Sequence, residues 1–355
     1  MNGCQVPHFG LARQYVNLKD ELLDATHNAL KDGQFVAGKF TKEFEIWLAL
    51  KCKANYAITV HSCTQALEII ARYKKQKHHD IMVGNPKIRI PNLTYPATLN
   101  AFINAGWDVE LADTDKYGIL VNDDTVQYAC LVGLYGRFPQ HKDSPSSLYF
   151  NSIVDGAQHW LVAGGMIGSG MAISFDPTKN LPSSGNGGAI VTNDVGLYNF
   201  AINYRDNGKS SNFSKAGTNS KMSEQDCAQI LVRTKYIDAW QERRAKIAKY
   251  WYESFSDLPL TCLSDDSAPN AHQKFVVFTA NRNSLHTHLL TSGIDAKRHY
   301  EYTLGDLPIS KDLVKPDLLS TSVMLSRGVL SLPMFPELTD NEVSYICESV
   351  TSFYK

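Results

Sequence analysis

The sequence lacks most of the features that mark membrane, secreted or nucleic-acid-binding proteins. No apolar run among its 355 residues approaches the roughly 20 that a membrane-spanning helix requires. The first ten residues, MNGCQVPHFG, contain neither the basic nor the apolar stretch of a secretory signal. The formal net charge is -1, and no extended stripe of Lys and Arg indicates a nucleic-acid partner. We therefore expect a cytoplasmic protein without membrane or nucleic-acid partners.

The cysteines do not form a pattern that binds a metal or builds a disulfide framework. There are seven of them, an odd number, and they are widely spaced without a C-x-x-C motif. This spacing argues against a structural zinc site and favours a reducing compartment, so we expect no metal. The positions are Cys4, Cys52, Cys63, Cys130, Cys227, Cys262 and Cys347.

The sequence does contain short, nearly all-apolar runs that alternate with helical segments. Such runs are typical of strands buried on both faces, as in parallel sheets. The predicted strands are Tyr56–Val60, Ile88–Pro91, Val109–Ala112, Cys130–Leu134, Ser152–Asp155, Met171–Phe175 and Ala189–Thr192. The predicted helices are 17–31, 41–53, Thr64–Tyr73, Ala97–Ala105 and Val195–Arg205. The alternation predicts an α/β fold with a mostly parallel seven-stranded sheet flanked by helices.

The last third of the chain has a different pattern. Residues 223–255 keep an approximate helical period and predict one long helix. The elements predicted after it are a strand at Phe275–Thr279, a helix at Ser284–Ser292, a strand at Ile294–His299 and a helix from Thr339 to Tyr354. We therefore expect a large domain of residues 1–245, which includes the N-terminal helical segment, and a smaller α+β domain of residues 246–355.

A candidate phosphate site lies in HSCTQAL, residues 61–67, where a strand leads directly into a helix. Ser62 and Thr64 place hydroxyl groups and free backbone N–H groups at the helix N-terminus, where the helix dipole favours an anion. The same residue types also cap helices that bind nothing. By themselves these residues leave both interpretations open.

Two further polar residues follow predicted strands. Asp155 ends the run SIVD and reaches the carboxyl edge of the sheet, where ligands of open α/β sheets bind. An Asp at this position can equally cap the next turn. Lys179 lies just beyond the next strand, at the start of a loop rich in Gly and Ser. Together with a phosphate cradle, these are the groups that pyridoxal phosphate (PLP) requires. A lysine forms a Schiff base with its aldehyde, and a carboxylate keeps its ring nitrogen protonated.

Nine blocks of the sequence occur in an order that resembles one protein family over nearly the whole chain. The blocks are VNLKDELLDATHNALKDGQFVAGKFTKEFE, SCTQAL, PNLTYPATLNAFINAGWDVELADTD, GLYGR, VDGAQ, SFDPTKNLPSSGNGGAIVTND, GTNSKMSEQDCAQI, LLTSGIDAKRHY and LSLPMFPELTDNEV. The family is that of the DegT/DnrJ/EryC1/StrS aminotransferases. The resemblance implies a fold type I PLP-transferase that uses PLP and its amino form, PMP. It also implies amino-group transfer from L-glutamate to a keto-sugar of the nucleotide-linked 3- or 4-keto-6-deoxy type. The enzyme is implied to be a homodimer with a shared active site.

The resemblance also assigns a role to each matching residue. Lys179 matches the Schiff-base lysine and proton carrier, and Asp155 the carboxylate at the pyridine nitrogen. The other cofactor-binding residues implied are Gln158 at the ring oxygen, Tyr95 stacked on the ring, Ser62, Cys63, Thr64 and Ser174 around the phosphate, and Asn219 reaching the phosphate from the second subunit. The residues implied near the substrate are His299, Tyr300 and Lys221.

Three positions depart from the family's usual residues, and two alternative functions stay open. Cys63 stands where the family usually has Gly, Lys221 where it has Arg, and Asn186 where Glu is common. The alternatives are amination of a cyclitol ketone and a non-catalytic regulatory or interaction protein with the same fold. A sugar dehydratase is disfavoured, because relatives with that activity replace the lysine by His, whereas this chain has Lys179.

Overall fold

The computed structural model describes residues 6–121, 127–138, 152–263, 268–313 and 319–355, and these form two sheets with helices packed on them. The strands of the large sheet are β1 (Tyr56–Val60), β2 (Lys87–Pro91), β3 (Asp108–Ala112), β4 (Tyr128–Val132), β5 (Ile153–Asp155), β6 (Gly170–Ser174) and β7 (Gly188–Thr192). The strands of the small sheet are β8 (Thr261–Cys262), β9 (Phe275–Phe278) and β10 (Val329–Leu332). The helices are α1 (Leu11–Lys31), α2 (Lys39–Lys51), α3 (Cys63–His79), α4 (Pro96–Asn104), α5 (Val195–Tyr204), α6 (Glu224–Thr234), α7 (Ile237–Ser254), α8 (Arg282–Thr291), α9 (Ser320–Gly328) and α10 (Asp340–Phe353).

The large sheet has the strand order β1-β7-β6-β5-β4-β2-β3. Strand β7 runs antiparallel to both of its neighbours, and the other pairings are parallel. The carboxyl ends of six strands therefore meet at one edge of the sheet. The prediction of a mostly parallel seven-stranded sheet is confirmed, with most strand bounds shifted by only one or two residues.

The all-apolar strands are explained by helices on both faces of this sheet. Successive residues of a strand point to opposite faces. In β7, Ile190 belongs to the core cluster that contains the buried residues of α3 and α4, such as Leu67 and Phe102. Its neighbour Val191 belongs to the cluster on the other face, with Phe44 of α2. A strand in this position has no solvent-facing side, so an alternating polar pattern is absent from it.

A separate core forms around the small sheet. It contains Trp251 of α7, Phe275 and Val277 of β9 and Ile346 of α10, and also Val6 from the start of the described chain. The indole N–H of Trp251 donates a hydrogen bond to the Val343 carbonyl oxygen at 3.0 Å, which ties α7 to α10. This core lies largely within the predicted smaller domain, and the boundary between residues 245 and 246 stays a prediction.

Two predicted elements are wrong. Residues 223–255 form two helices instead of one, because the chain turns at Lys235 and Tyr236, whose side chains both bond to Glu21 of α1. Residues 294–299 do not form a strand. Ile294 forms a bridge with Val6 and Lys297 with Ser331, so the segment pairs with two different partners and builds no continuous ladder.

The described residues also bear on the expectations about cysteines and membranes. Six cysteines are free in them, namely Cys52, Cys63, Cys130, Cys227, Cys262 and Cys347, whereas Cys4 lies outside the described residues. Across those same parts of the chain, no helix is both long enough and apolar enough to cross a membrane.

Gly188 lets the sheet approach the start of α3 closely. It pairs with Val60 of β1 and Ser174 of β6. A Cβ added at this position would lie 2.3 Å from the carbonyl carbon of Ser62 and 2.5 Å from the backbone nitrogen of Cys63. Both of these are backbone atoms, so no side chain can rotate away to make room.

We therefore expect Gly188→Ala to lower the free energy of unfolding by about 1–3 kcal/mol, the usual cost of overpacking a core. Urea denaturation of the purified variant measures this. The matched control is Gly185→Ala, since a Cβ at that position meets nothing closer than the Asp226 carboxylate at 3.8 Å. An equal effect of the two substitutions would contradict the assignment.

Candidate active site

A cavity of about 580 Å³ opens at the carboxyl edge of the large sheet. Segments that follow β1, β2, β4, β5 and β6 line it, together with residues that lie against the small sheet. The predicted site residues that line the cavity are Ser62, Cys63, Thr64, Tyr95, Asp155, Gln158, Ser174, Lys179, His299 and Tyr300. This location is the one at which open α/β sheets bind ligands.

The N-terminus of α3 forms one end of the site. Ser62 has an extended backbone, and its hydroxyl accepts a hydrogen bond from the Gln65 N–H at 3.2 Å, so it caps the helix. The first N–H groups of a helix have no partner within the helix, and here they belong to cavity-lining residues. Ser174, at the end of β6, adds a hydroxyl to the same cavity. The predicted capping role of Ser62 and the anion site are therefore compatible.

The side chain of Cys63 packs beside the helix start and against the core. It contacts the cluster that contains the buried residues of α3, and its Sγ lies 4.0 Å from Oδ1 of Asp155. Burial, followed by the nearby Asp155 charge, raises the pKa of the thiol well above its usual range. A cysteine is thus accommodated where the family usually has glycine, and it is held as a neutral thiol.

Asp155 lies at the end of β5, buried at the back of the cavity. Its Oδ2 accepts a hydrogen bond from the Thr98 hydroxyl at 2.8 Å, and its Oδ1 accepts one from the Ala157 N–H at 3.1 Å. Burial raises the pKa of the Asp155 carboxyl, whereas the two hydrogen bonds and the charge of Lys179 act in the opposite direction. A cationic ring nitrogen beside this carboxylate would favour its charged form in the same way.

A turn after β6 places Lys179. The Lys179 N–H donates to the Asp176 carbonyl oxygen at 2.9 Å, and Pro177 occupies the second position of this four-residue turn. The Asp176 carboxylate accepts hydrogen bonds from the Thr178 N–H at 2.9 Å and the Thr178 hydroxyl at 2.6 Å. Asp in the first position and Pro in the second are the residues that such turns favour. The short motif DPTK therefore fixes the backbone from which the lysine extends.

The turn is also attached to the segment that leads into the small sheet. The side-chain amide of Gln273 donates to the Thr178 carbonyl oxygen at 2.9 Å, and that of Asn180 donates to the Ala271 carbonyl oxygen at 2.8 Å. Among the described residues, no hydrogen-bond partner holds the Lys179 ammonium group itself. The backbone around the lysine is therefore fixed, while its amine is available to a ligand.

Gln158, Tyr135 and Tyr300 form a hydrogen-bonded group on the opposite wall. The Gln158 side-chain oxygen accepts from the Tyr135 N–H at 2.5 Å, and its amide donates to the Tyr300 hydroxyl at 3.2 Å. The Tyr135 hydroxyl in turn donates to the His299 carbonyl oxygen at 2.8 Å. Gln158 is thus oriented by both of its polar ends. Its neighbour Tyr300 also approaches Tyr95, with 5.9 Å between the ring centroids.

The wall that lies against the small sheet carries His299 and Lys274, and the His8 ring lies beside that of His299, with 5.4 Å between the ring centroids. Burial, followed by the charge of Lys274, lowers the pKa of His299 to about 2 and that of His8 to about 4. Both imidazoles are therefore neutral, and His299 shares a hydrogen bond of 3.0 Å with the Ser331 hydroxyl. Burial, followed by the charges of Lys179 and Arg244, lowers the pKa of Lys274 to about 7.

These residues fit pyridoxal phosphate. The cavity holds an amine that has no hydrogen-bond partner in the described parts of the chain, a buried carboxylate, and a helix N-terminus with adjacent hydroxyl groups. These are the groups that the aldehyde, ring nitrogen and phosphate of PLP require. Tyr95 is 59% exposed although it lines a concave site, so its ring has an open face on which an aromatic ligand can stack.

Asn219 and Lys221 do not reach the cavity within one chain. Asn219 is exposed and forms an isolated backbone bridge with Asp206. The ammonium group of Lys221 forms an ion pair with the Asp206 carboxylate. Their predicted roles require a second subunit and stay predictions.

Two residues of the site were missed in the sequence. Thr98 lies on α4, where it reads as an ordinary helix residue, and its only signal is its position one turn after Tyr95. Lys274 directly precedes the apolar run of β9, and a charged residue next to a buried strand is a weak signal that could have indicated it.

Comparison with known proteins gives the same result as the geometry. The sequence profile described as "DegT/DnrJ/EryC1/StrS aminotransferase family" matches residues 16–130 and 156–351. One similar protein, 25% identical over 99% of both chains, is "Pleiotropic regulatory protein" of Geobacillus stearothermophilus. Another, 29% identical over 98% of this chain and 99% of its own, is "dTDP-3-amino-3,6-dideoxy-alpha-D-galactopyranose transaminase" of Aneurinibacillus thermoaerophilus.

A solved structure has the same fold over almost the full length of the chain. It is the crystal structure of DesV from S. venezuelae, with 25% sequence identity and a TM-score of 0.88, covering 99% of this chain and 98% of that one. The fold type I architecture and the PLP cofactor predicted from the sequence are therefore confirmed. The chain belongs to the DegT/DnrJ/EryC1/StrS aminotransferase family and is a PLP-dependent sugar aminotransferase.

Proposed function

We propose that this enzyme transfers the amino group of L-glutamate to a nucleotide-linked 3- or 4-keto-6-deoxy sugar in two successive half-reactions. The similarity to a transaminase named for a dTDP-linked 3-amino-3,6-dideoxy sugar supports this substrate class. The observation that carries the proposal is the presence of the Lys179 amine and the buried Asp155 carboxylate in one cavity. Incubation of the purified enzyme with glutamate and candidate nucleotide keto-sugars tests it, with the amino-sugar product detected by mass spectrometry.

Each residue would contribute a distinct step. When bound, PLP supplies an aldehyde and an electron-withdrawing ring that stabilises negative charge at the reacting carbon. Lys179 would move the proton to and from that carbon as general acid and base. Asp155 would keep the ring nitrogen charged, while Ser62, Thr64 and the first N–H groups of α3 would hold the phosphate.

The proposed enzyme is a homodimer in which Asn219 reaches the phosphate of the partner subunit. Asn219 is exposed and does not line the cavity of its own chain, which supports this arrangement. Shared sites of this kind follow from an isologous interface, at which both subunits contribute the same residue to each other.

The relative named as a regulatory protein favours one second candidate, a non-catalytic protein with the same fold. The two functions differ in what they require of Lys179, since only catalysis needs a free amine at a fixed position. The first experiment below therefore distinguishes them.

Lys179→Ala should abolish amino-group transfer. We expect kcat to fall by about 10³-fold or more, since the variant loses its acid–base group. Stopped-flow absorbance of the PLP-loaded enzyme with glutamate measures this. Lys179→Arg keeps the charge but stays protonated and cannot exchange the proton, so it should be equally inactive. Addition of a small primary amine should partly restore the Ala variant. A rate within tenfold of the unmodified enzyme would contradict the assignment.

Thr98→Val should shift the acid side of the pH–rate profile to higher pH. The Thr98 hydroxyl stabilises the charged form of Asp155, so its removal raises the pKa of that carboxyl further. Asp155 then loses its charge at a higher pH as the solution is acidified, and we expect kcat near neutral pH to fall about 2- to 10-fold. Thr98→Ser keeps the hydroxyl and should retain the original profile. Identical profiles for Val and Ser would exclude this role.

A hybrid dimer should show whether Asn219 acts across the interface. Asn219→Asp places a negative charge beside the phosphate, and we expect it to be nearly inactive, as Lys179→Ala is. Co-expression with two affinity tags isolates dimers that carry one substitution in each subunit. If Asn219 acts in the partner's site, both substitutions fall in one site and about half of the activity returns. No recovery would indicate that Asn219 acts within its own chain, and full activity of the Asn219→Asp homodimer would indicate that it has no role at the phosphate.

A further inference from the structure

Lys274 carries a positive charge into the cavity from the wall that lies against the small sheet, and no role assigned above uses it. We propose that Lys274 is a specificity-determining residue that binds a substrate carboxylate. The carboxylate belongs either to the amino donor or to an acidic sugar. This inference rests on the proposed function, because it concerns the ligands of the same cavity.

The position of Lys274 is fixed although its side chain faces the cavity. It directly precedes β9, and its backbone N–H donates to the Tyr135 carbonyl oxygen at 3.1 Å. The residue is only 5% exposed, yet it lines the same cavity as Lys179. Its ammonium group lies 5.6 Å from the centre of the Phe9 ring, which also lines the cavity. Lys274 is therefore an inward-facing cation on a rigid support.

The charges around Lys274 favour an incoming anion. Lys179 and Arg244 are close enough to disfavour its protonated form, whereas Asp176 acts in the opposite direction. The imidazoles of His8 and His299 lie on the same side and are neutral. A carboxylate bound here would be attracted by Lys274 and would favour its charged form, in a site that is largely shielded from water.

The anion is distinct from the cofactor phosphate. The groups proposed to bind the phosphate, which are the first N–H groups of α3 with Ser62 and Ser174, lie at the carboxyl ends of β1 and β6. Lys274 belongs instead to the segment that enters the small sheet. A lysine is a compact point charge with three donors, and a planar carboxylate can accept from it directly. Both an amino acid donor and a sugar acid carry a carboxylate, so the ligand is defined here as a carboxylate from either source.

Binding measurements on the Lys274→Met variant show whether the carboxylate belongs to the amino donor or to the sugar. For the donor, the probe is glutarate, a dicarboxylate that cannot react, titrated calorimetrically into the PLP-loaded enzyme. For the sugar, the probes are UDP-glucuronate and UDP-glucose, which differ only in the carboxylate. If the carboxylate belongs to the donor, we expect Lys274→Met to weaken glutarate binding by about 10- to 100-fold. If it belongs to the sugar, we expect the same loss for UDP-glucuronate and none for UDP-glucose. This is the effect of removing one charged hydrogen-bond partner.

Two control variants accompany the test. Lys274→Arg keeps the charge and should retain most of the affinity. Lys297→Met removes a lysine that pairs with Asp295 outside the cavity lining, and it should leave all three affinities unchanged. Thermal melting verifies that each variant is folded.

The inference is overturned if Lys274→Met binds glutarate and UDP-glucuronate within twofold of the unmodified enzyme. It is equally overturned if UDP-glucose is weakened as much as UDP-glucuronate, because Lys274 would then bind the diphosphate. These binding results do not depend on the amino donor. The enzyme could fail to react with glutamate while Lys274→Met still weakens glutarate binding. That result would refute glutamate as the donor but would support the carboxylate site.

Discussion

The site is organised by the cost of burying the Asp155 carboxylate at the end of β5. An ionised carboxylate taken out of water is stable only with hydrogen bonds and a nearby cation. Thr98 from α4, the Ala157 N–H and the charge of Lys179 supply these from three separate segments. Because each segment follows a different strand, the parallel sheet has to place their ends at one edge. The arrangement of the strands and the stabilisation of the Asp155 charge therefore depend on each other.

The position of Lys179 depends equally on both cores of the molecule. Its turn follows β6 of the large sheet, but Gln273 and Asn180 bond that turn to the chain before β9. A movement of the small sheet relative to the large one would therefore reposition the lysine backbone as well as Lys274. The segment before the small sheet is thus coupled to the Lys179 backbone through side-chain-to-backbone hydrogen bonds, in addition to forming one wall of the cavity.

The sequence allowed the large sheet to be predicted, because strands covered by helices on both faces are apolar throughout. Lys179 and Asp155 were found because polar residues after such strands meet at one edge. Thr98 and Lys274 were missed, since their importance lies in contacts between segments far apart in sequence. Residues 294–299 were misassigned as a strand for the same reason. The segment begins by alternating apolar and polar residues, but Ile294 and Lys297 pair with Val6 and Ser331, which belong to two different segments.

Cys63 shows how a departure from the family's usual residue can leave the chemistry intact. A side chain on the first residue of α3 would obstruct an anion if it pointed along the helix axis. Here the sulfur turns toward the core and the Asp155 carboxylate, so the N–H groups of the first turn stay accessible. Burial, followed by the charge of the neighbouring carboxylate, raises the pKa of the thiol, which keeps a second negative charge away from the phosphate site. The substitution therefore adds packing beside Asp155 without changing the charge of the cradle.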